Sequence, residues 1–288
     1  MYALPEGAPD WFVDNLRHPG ESRTVDYAGS HVHFLAWNWE RRELPVLLLL
    51  HGFSGHANWW SFLAPFFADR YRIAAVDLPG MGDSGRLEEY GENSYTEGVL
   101  AFLREEGLEA VTVVAHSFGG IQTLRAMYQA PAAFRHSIIV DSFVCLPPIP
   151  PPPVLNPRDH HRMYASREEC MGRFRLVPPQ GAADPVIQDF VAWHSCEQGP
   201  EGWHWKFDPR AKNMGEALDP ADLARISARV DFIYGDKSIF HSDGRPGSLL
   251  EAVGNPGEAV IVPEAHHHLM IDHPLELVAQ VNRLLAAG

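Results

Sequence analysis

Val111-Thr112-Val113-Val114-Ala115-His116-Ser117-Phe118-Gly119-Gly120 begins as a short β-branched run and passes, without a spacer, into a stretch of helical character that continues to Gln129. The run reads as a strand and Phe118 to Gln129 as a helix, which leaves Ser117 on the turn between them. A serine on so tight a turn has a strained backbone, and only small residues fit two positions to either side; Ala115 and Gly119 meet that need. Gly120 lets the helix pack close. The turn lifts the Ser117 hydroxyl above the C-terminal edge of the sheet, where doubly wound folds bind ligands. Read alone, the motif serves equally as a helix cap with ordinary turn glycines; the strand before it and the helix after it make Ser117 the candidate nucleophile.

Working outward, the same alternation extends in both directions. Thr24 to Tyr27 and His31 to Leu35 read as a hairpin joined at Ala28-Gly29-Ser30. Val46 to Leu50 is an unbroken aliphatic run, as in a strand buried on both faces. Asn58 to Phe67 reads as a helix broken near Pro65, Arg72 to Asp77 as a strand, Tyr95 to Glu106 as a helix and Ser137 to Val140 as a strand. Such alternation implies a parallel sheet with helices on both faces. It stops at Leu146 to Pro153, which holds six prolines and reads as a stiff connector. The segment that follows, to Gly215, is rich in Arg, His, Trp and Met and reads as a mainly helical insertion. Alternation resumes with a strand at Arg229 to Tyr234, a helix near Ser248 to Val253, a strand at Ala259 to Val262 and a helix from Pro274 to Ala287. The expected fold class is therefore α/β, a doubly wound, mostly parallel sheet. The core is formed by residues 1–145 and 216–288 and carries an insertion at 146–215.

Composition narrows the partners. The 288 residues are 45% hydrophobic, enough for one large core. The net charge of −14 disfavours nucleic acid and anionic membranes. Three cysteines, Cys145, Cys170 and Cys196, make neither a disulfide framework nor a metal-ligand pattern. The first ten residues lack the pattern of a signal peptide, and the longest aliphatic run is too short to span a bilayer. A cytoplasmic protein acting on a small molecule, with no cofactor and no metal, is the expectation; composition says nothing of the oligomeric state.

His51-Gly52-Phe53-Ser54-Gly55 follows the first buried strand. In acyl transfer, backbone N–H groups must meet the negative charge that develops on the carbonyl oxygen. Phe118, the residue after the nucleophile, and Phe53 are the expected donors. His51 reads as a structural histidine bonded to loop backbone. Three segments, Leu49 to Phe53, Asp77-Leu78-Pro79-Gly80-Met81-Gly82-Asp83-Ser84 and His116 to Gly120, resemble in content and order the landmark segments of the α/β-hydrolase family, serine hydrolase or esterase type. The resemblance covers nearly the whole chain. Ala115 departs from the glycine common at that position.

The resemblance implies a base in the loop after the last strand, seven residues before a proline that opens the next helix. Counting back from Pro274 gives His267, with His266 and His268 as alternatives. An imidazole titrates near working pH and can both take and return a proton. Three adjacent histidines in one loop are a poor metal site, since they rarely converge on one ion. A third group must orient the imidazole. In the common family pattern the acid lies three residues after Gly235, but that position is Ser238; Asp236 is acidic at a different offset. Asp141, just beyond Ser137 to Val140, matches the placement in haloalkane dehalogenases and certain small esterases, and is preferred over Asp236.

The insertion occupies the place of the family's lid, and Arg173 to Pro179 and Gly202 to Pro209 look similar to lids of bacterial members related to the serine hydrolase-like proteins. Trp59, Phe143, Trp193 and Trp203 are candidate pocket residues beside Phe53 and Phe118, although most aromatics taken singly are core. Lys206 and Arg210 are possible anion contacts that read more readily as solvated. The activity these expectations describe is a carboxylesterase-like hydrolysis of a small ester, thioester or lactone. Carbon–carbon bond hydrolysis on the same residues, or a slow or non-catalytic ligand receptor, are the alternatives.

Overall fold

The computed structural model describes residues 2–147, 160–181, 183–212, 217–240 and 245–287. The N-terminal part comprises α1 (Asp10–Leu16), β1 (Glu21–Tyr27), β2 (Ser30–Trp37), β3 (Val46–Leu50), α2 (Asn58–Ser61), β4 (Arg72–Val76), α3 (Ser94–Glu105), β5 (Val111–His116), α4 (Phe118–Gln129) and β6 (Phe134–Val140). There follow α5 (Arg167–Met171), α6 (Pro185–His194), β7 (Cys196–Gly199), β8 (Gly202–Trp205), α7 (Pro220–Leu223), β9 (Arg229–Gly235), α8 (Arg245–Ala252), β10 (Pro256–Val262), α9 (Leu269–Asp272) and α10 (Pro274–Ala287). Eight strands form one sheet in the order β1-β2-β4-β3-β5-β6-β9-β10. Pairings from β4 to β10 are parallel, and β2 joins antiparallel to β4 and β1.

The pleat explains why β3 is apolar throughout. Leu48 and Leu50 enter the core on the face of α3 and α4, with Phe102 and Leu124, while Leu47 and Leu49 enter the opposite core with Leu277 and Val281 of α10. A strand covered on both sides has no polar face. Leu48 is fully buried, so Leu48→Ala should remove about 3 kcal/mol of stability, read as a lower denaturation midpoint at unchanged slope.

Chain order doubles back at β3: β4 lies on one side of it and β5 on the other. Ligands bind at such a switch point, beyond the carboxyl ends of the strands. Register brings those ends level, with Leu50 opposite Ala115, His116 opposite Val140, Val140 opposite Ile233 and Gly235 opposite Val262. The loops after β3, β5, β6, β9 and β10 therefore leave from one edge.

Away from that edge, Asp231 of β9 is buried and accepts bonds from His136 Nε2 (2.6 Å), Arg229 Nε and Nη2 (2.8 and 2.9 Å) and the Glu258 amide (2.5 Å). Burial pushes its pKa up, but the donors, His136 foremost, outweigh burial and hold it at about 2. The folded carboxylate ionises more readily than the unfolded one. Its stabilisation, about 2 kcal/mol, is complete above about pH 4 and is lost as pH falls toward 2. Asp231→Asn should flatten that part of an acid-denaturation curve while leaving a protein that is less stable at neutral pH.

Two expectations need correction. The break expected near Pro65 in the stretch 58–67 comes earlier: the helix ends at Ser61, and Ala64–Phe67 is a separate 3₁₀ turn with Pro65 in its first turn, where proline's missing N–H costs nothing. The described part of the insertion between β6 and β9 is not mainly helical: it holds α5, α6 and the hairpin β7–β8. Cys196-Glu197-Gln198-Gly199 lacks the apolar alternation by which a strand announces itself. Most of the proline connector, and the segment 213–216 at the insertion's expected end, lie outside the described residues.

Candidate active site

Ser117 has φ 52° and ψ −119°, a left-handed conformation that costs an L-residue on the order of 1–3 kcal/mol. Its neighbours hold it there. The Ser117 amide donates to the Val140 carbonyl (2.9 Å), extending the β5–β6 ladder by one rung, and its carbonyl then accepts from the Gly120 amide (3.0 Å) and from Ser142 Oγ (2.7 Å). The glycines are required by contact: a Cβ on Gly119 would stand 2.5 Å from the His51 carbonyl, and one on Gly120 2.1 Å from Ser142 Oγ.

Beside this bend runs the loop after β3. His51 pins it by donating from Nδ1 to the Gly52 carbonyl (2.7 Å) and accepting the Leu78 amide at Nε2 (3.0 Å), as a structural histidine would. Burial holds its pKa below the usual value, so it stays neutral. Gly52 packs so near the bend that a Cβ there would lie 3.2 Å from Ser117 Cβ. The Phe118 amide is the first of α4, and the Phe53 amide sits in the loop; neither has an acceptor among the described residues. The two rings meet edge to face at 5.3 Å between centroids.

In the loop after β10, His267 Nδ1–H donates to Asp141 Oδ1 at 2.8 Å, with both side chains buried. That bond fixes the tautomer and leaves the Nε2 lone pair bare. Asp141 stands on the residue after β6 with φ 44°. Its Oδ1 also accepts Ser238 Oγ–H (2.5 Å) and its Oδ2 the Gly235 amide (2.9 Å), so a fully buried carboxylate has donors on both oxygens. Asp236 instead faces outward beside Lys237 Nζ (3.6 Å). Ser238, whose hydroxyl cannot carry the charge, thus bonds the carboxylate that faces His267. The signal was present in the sequence: a hydrogen-bonding residue at the offset where the family commonly places its acid.

The other two histidines of the run have separate environments. His266 bonds Asp272 through its amide (2.8 Å) and Nδ1 (3.1 Å). His268 packs against Trp59 (5.3 Å between centroids), and neither of its buried ring nitrogens has a hydrogen-bond partner among the described residues. Burial, then the neighbouring His267, keep it neutral. His116 donates from Nε2 to the His267 carbonyl (2.9 Å), tying the loop to β5, and is also kept neutral by burial. One ligand atom from each of His116, His267 and His268 falls within 4.8 Å of the others, so the run meets a third imidazole from β5 rather than supplying all three itself.

Ser117, His267, Phe53 and Phe118 border one cavity of about 750 Å³. Trp59 and Phe143 line it. Trp193 and Trp203 do not: they stack on either side of the Arg167 guanidinium (3.9 and 4.4 Å to the ring centres) and border a separate, shallower pocket. Each ring face is satisfied by the cation, and the aromatic wall on the insertion side is supplied by Phe174, Trp205 and Phe207. Lys206 lines the cavity but is paired with Asp83 (2.5 Å), and Arg210 is held by Asp208 (2.7 Å) outside it. No helix among the described residues is long and apolar enough to cross a membrane.

The fold is shared with known proteins. A 2-succinyl-6-hydroxy-2,4-cyclohexadiene-1-carboxylate synthase of Escherichia coli is 24% identical over 246 residues, covering 84% of this chain and 94% of that protein. Among solved structures, E-2-(acetamidomethylene)succinate hydrolase superposes with a TM-score of 0.74 at 17% identity, covering 93% of this chain and 99% of the other. A Mycobacterium tuberculosis esterase, Rv0045c, superposes with a TM-score of 0.70 at 21% identity, covering 99% of each. The sequence profile of the alpha/beta hydrolase family matches residues 47–281, from the first buried strand into the last helix, and the chain belongs to that family.

Proposed function

We propose that the protein is a serine hydrolase that cleaves a small ester, thioester or lactone through an acyl-enzyme on Ser117. The observation that carries this reading is the buried Asp141–His267 bond, which leaves Nε2 of an imidazole free on a residue that borders the same cavity as Ser117. His267 takes the Ser117 proton as the hydroxyl attacks the carbonyl, and returns it to the leaving group. Asp141 favours the imidazolium that forms. The amides of Phe53 and Phe118, which lack acceptors among the described residues, are suited to receive the oxyanion. Water, activated by the same imidazole, then releases the acyl group. The stretches 173–178 and 205–207 of the insertion line the cavity, which supports a role for the insertion as its lid.

The test is covalent. A fluorophosphonate probe should label Ser117, and p-nitrophenyl acetate or butyrate should be turned over. Failure of both would overturn the reading. The Escherichia coli relative is named a synthase rather than an esterase, which favours a second reading in which the same residues serve a reaction other than ester hydrolysis, such as carbon–carbon bond cleavage. It predicts probe labelling with negligible turnover across a panel of esters, thioesters and lactones.

A further inference from the structure

Resting on the hydrolase reading of this cavity, we propose that the natural substrate carries an anionic group, a carboxylate or a phosphate, which Arg173 and Arg175 receive on the solvent side of the site, with Lys206 nearby. The chain has 37 acidic against 23 basic residues, yet the charged residues on the cavity wall are Arg173, Arg175 and Lys206, with no acid among the described lining. Lys206 is neutralised by Asp83, but neither arginine has a carboxylate within ion-pair distance among the described residues. Some exposed arginines of this acidic surface are paired, as Arg17, Arg41, Arg225 and Arg283 are, and others, such as Arg42 and Arg70, have no carboxylate partner among the described residues; what sets Arg173 and Arg175 apart is that they stand unpaired on the cavity wall. Arg175 is held by the backbone carbonyls of Gly172 (3.1 Å) and Phe174 (2.6 Å), which orient the guanidinium without cancelling its charge.

Arg173-Phe174-Arg175-Leu176-Val177-Pro178 thus gives the cavity both apolar wall and uncompensated positive charge. Low-dielectric walls of one sign focus the field and draw in the opposite charge. A substrate that matches this wall has an apolar part against Phe118 and Phe143 and an anion toward the two guanidinium groups. The anion belongs either to the acyl part, as a second carboxylate, or to the leaving group, as the phosphates of a coenzyme A thioester.

Paired substrates separate these sources. The p-nitrophenyl monoester of glutaric acid is compared with p-nitrophenyl butyrate, and butyryl-coenzyme A with the butyryl thioester of N-acetylcysteamine. One anionic member should exceed its neutral counterpart in kcat/KM by at least about tenfold, less so as NaCl rises from about 50 to about 500 mM. Arg173→Gln/Arg175→Gln should bring that ratio close to one; because it is a ratio, a general loss of folding does not mimic the result. A ratio near one in the wild-type chain, or one unchanged in the double variant, overturns the proposal and leaves the hydrolase reading intact. Binding is tested separately by titrating glutarate or coenzyme A and following the fluorescence of Trp59 and Trp205. Saturable, salt-sensitive binding that the double variant loses supports the anion site even if Ser117 proves unreactive and no ester is cleaved. Its absence, together with no anionic preference, rejects the site.

Discussion

Ser117→Ala should lower kcat for p-nitrophenyl butyrate by at least about 10⁴-fold and abolish labelling by a fluorophosphonate, while the protein stays folded. The size of the effect follows from the chemistry: with the oxygen gone, no acyl-enzyme forms, and only cavity binding and the amides of Phe53 and Phe118 remain to assist water. Folding should survive because the bonds that hold the bend are made by backbone, from the Ser117 amide to Val140 and from Gly120 to the Ser117 carbonyl. Ser117→Gly should be equally inactive and no less resistant to heat, since glycine accepts φ 52° without the cost a side chain meets. Retention of turnover by either variant would remove Ser117 from the mechanism.

Asp141→Asn should lower kcat by about 10³- to 10⁴-fold, with Asp236→Asn changing it by less than about threefold. In the wild-type chain Oδ1 accepts both His267 Nδ1–H and Ser238 Oγ–H, while Oδ2 accepts the Gly235 amide. An asparagine cannot accept on both sides. If its NH₂ faces His267, the imidazole must accept at Nδ1 and carry its proton on Nε2, where it cannot act as a base. If its NH₂ faces Gly235, two donors oppose each other in a buried site. Either arrangement also lacks the charge that stabilises the imidazolium. Asp236 sits at the surface beside Lys237 and touches none of these groups. Ser238→Ala should fall between the two, near tenfold, because it removes one bond to the carboxylate and leaves the charge. Mild and equal effects of Asp141→Asn and Asp236→Asn would overturn the assignment.

Much of the fold was legible because its signals are short in range. Val46–Leu50 and Phe118–Gln129 have the bounds their patterns imply, and the helix from Pro274 to Ala287 begins at the proline suited to its first turn. Small residues around Ser117 told of a tight turn, and contact with His51 and Ser142 is why they are small. The insertion was less legible. Its hairpin has strands of four residues without alternation, and its tryptophans carry no mark in sequence of whether a ring will face a cavity or a guanidinium.

By itself, the sequence determined the alternation of strands and helices and the serine at the sharp bend, because strand burial and turn strain depend on residues within a few positions of one another. It also named both acids as candidates. Only the tertiary structure shows which of them meets the imidazole, since that depends on how β6, β9 and β10 align across the sheet, and that register sets Asp141 against His267 and Ser238 while turning Asp236 outward. The packing of the insertion likewise decided that Trp205 lines the cavity and that Trp193 and Trp203 enclose Arg167, an outcome of contacts between segments far apart in the chain.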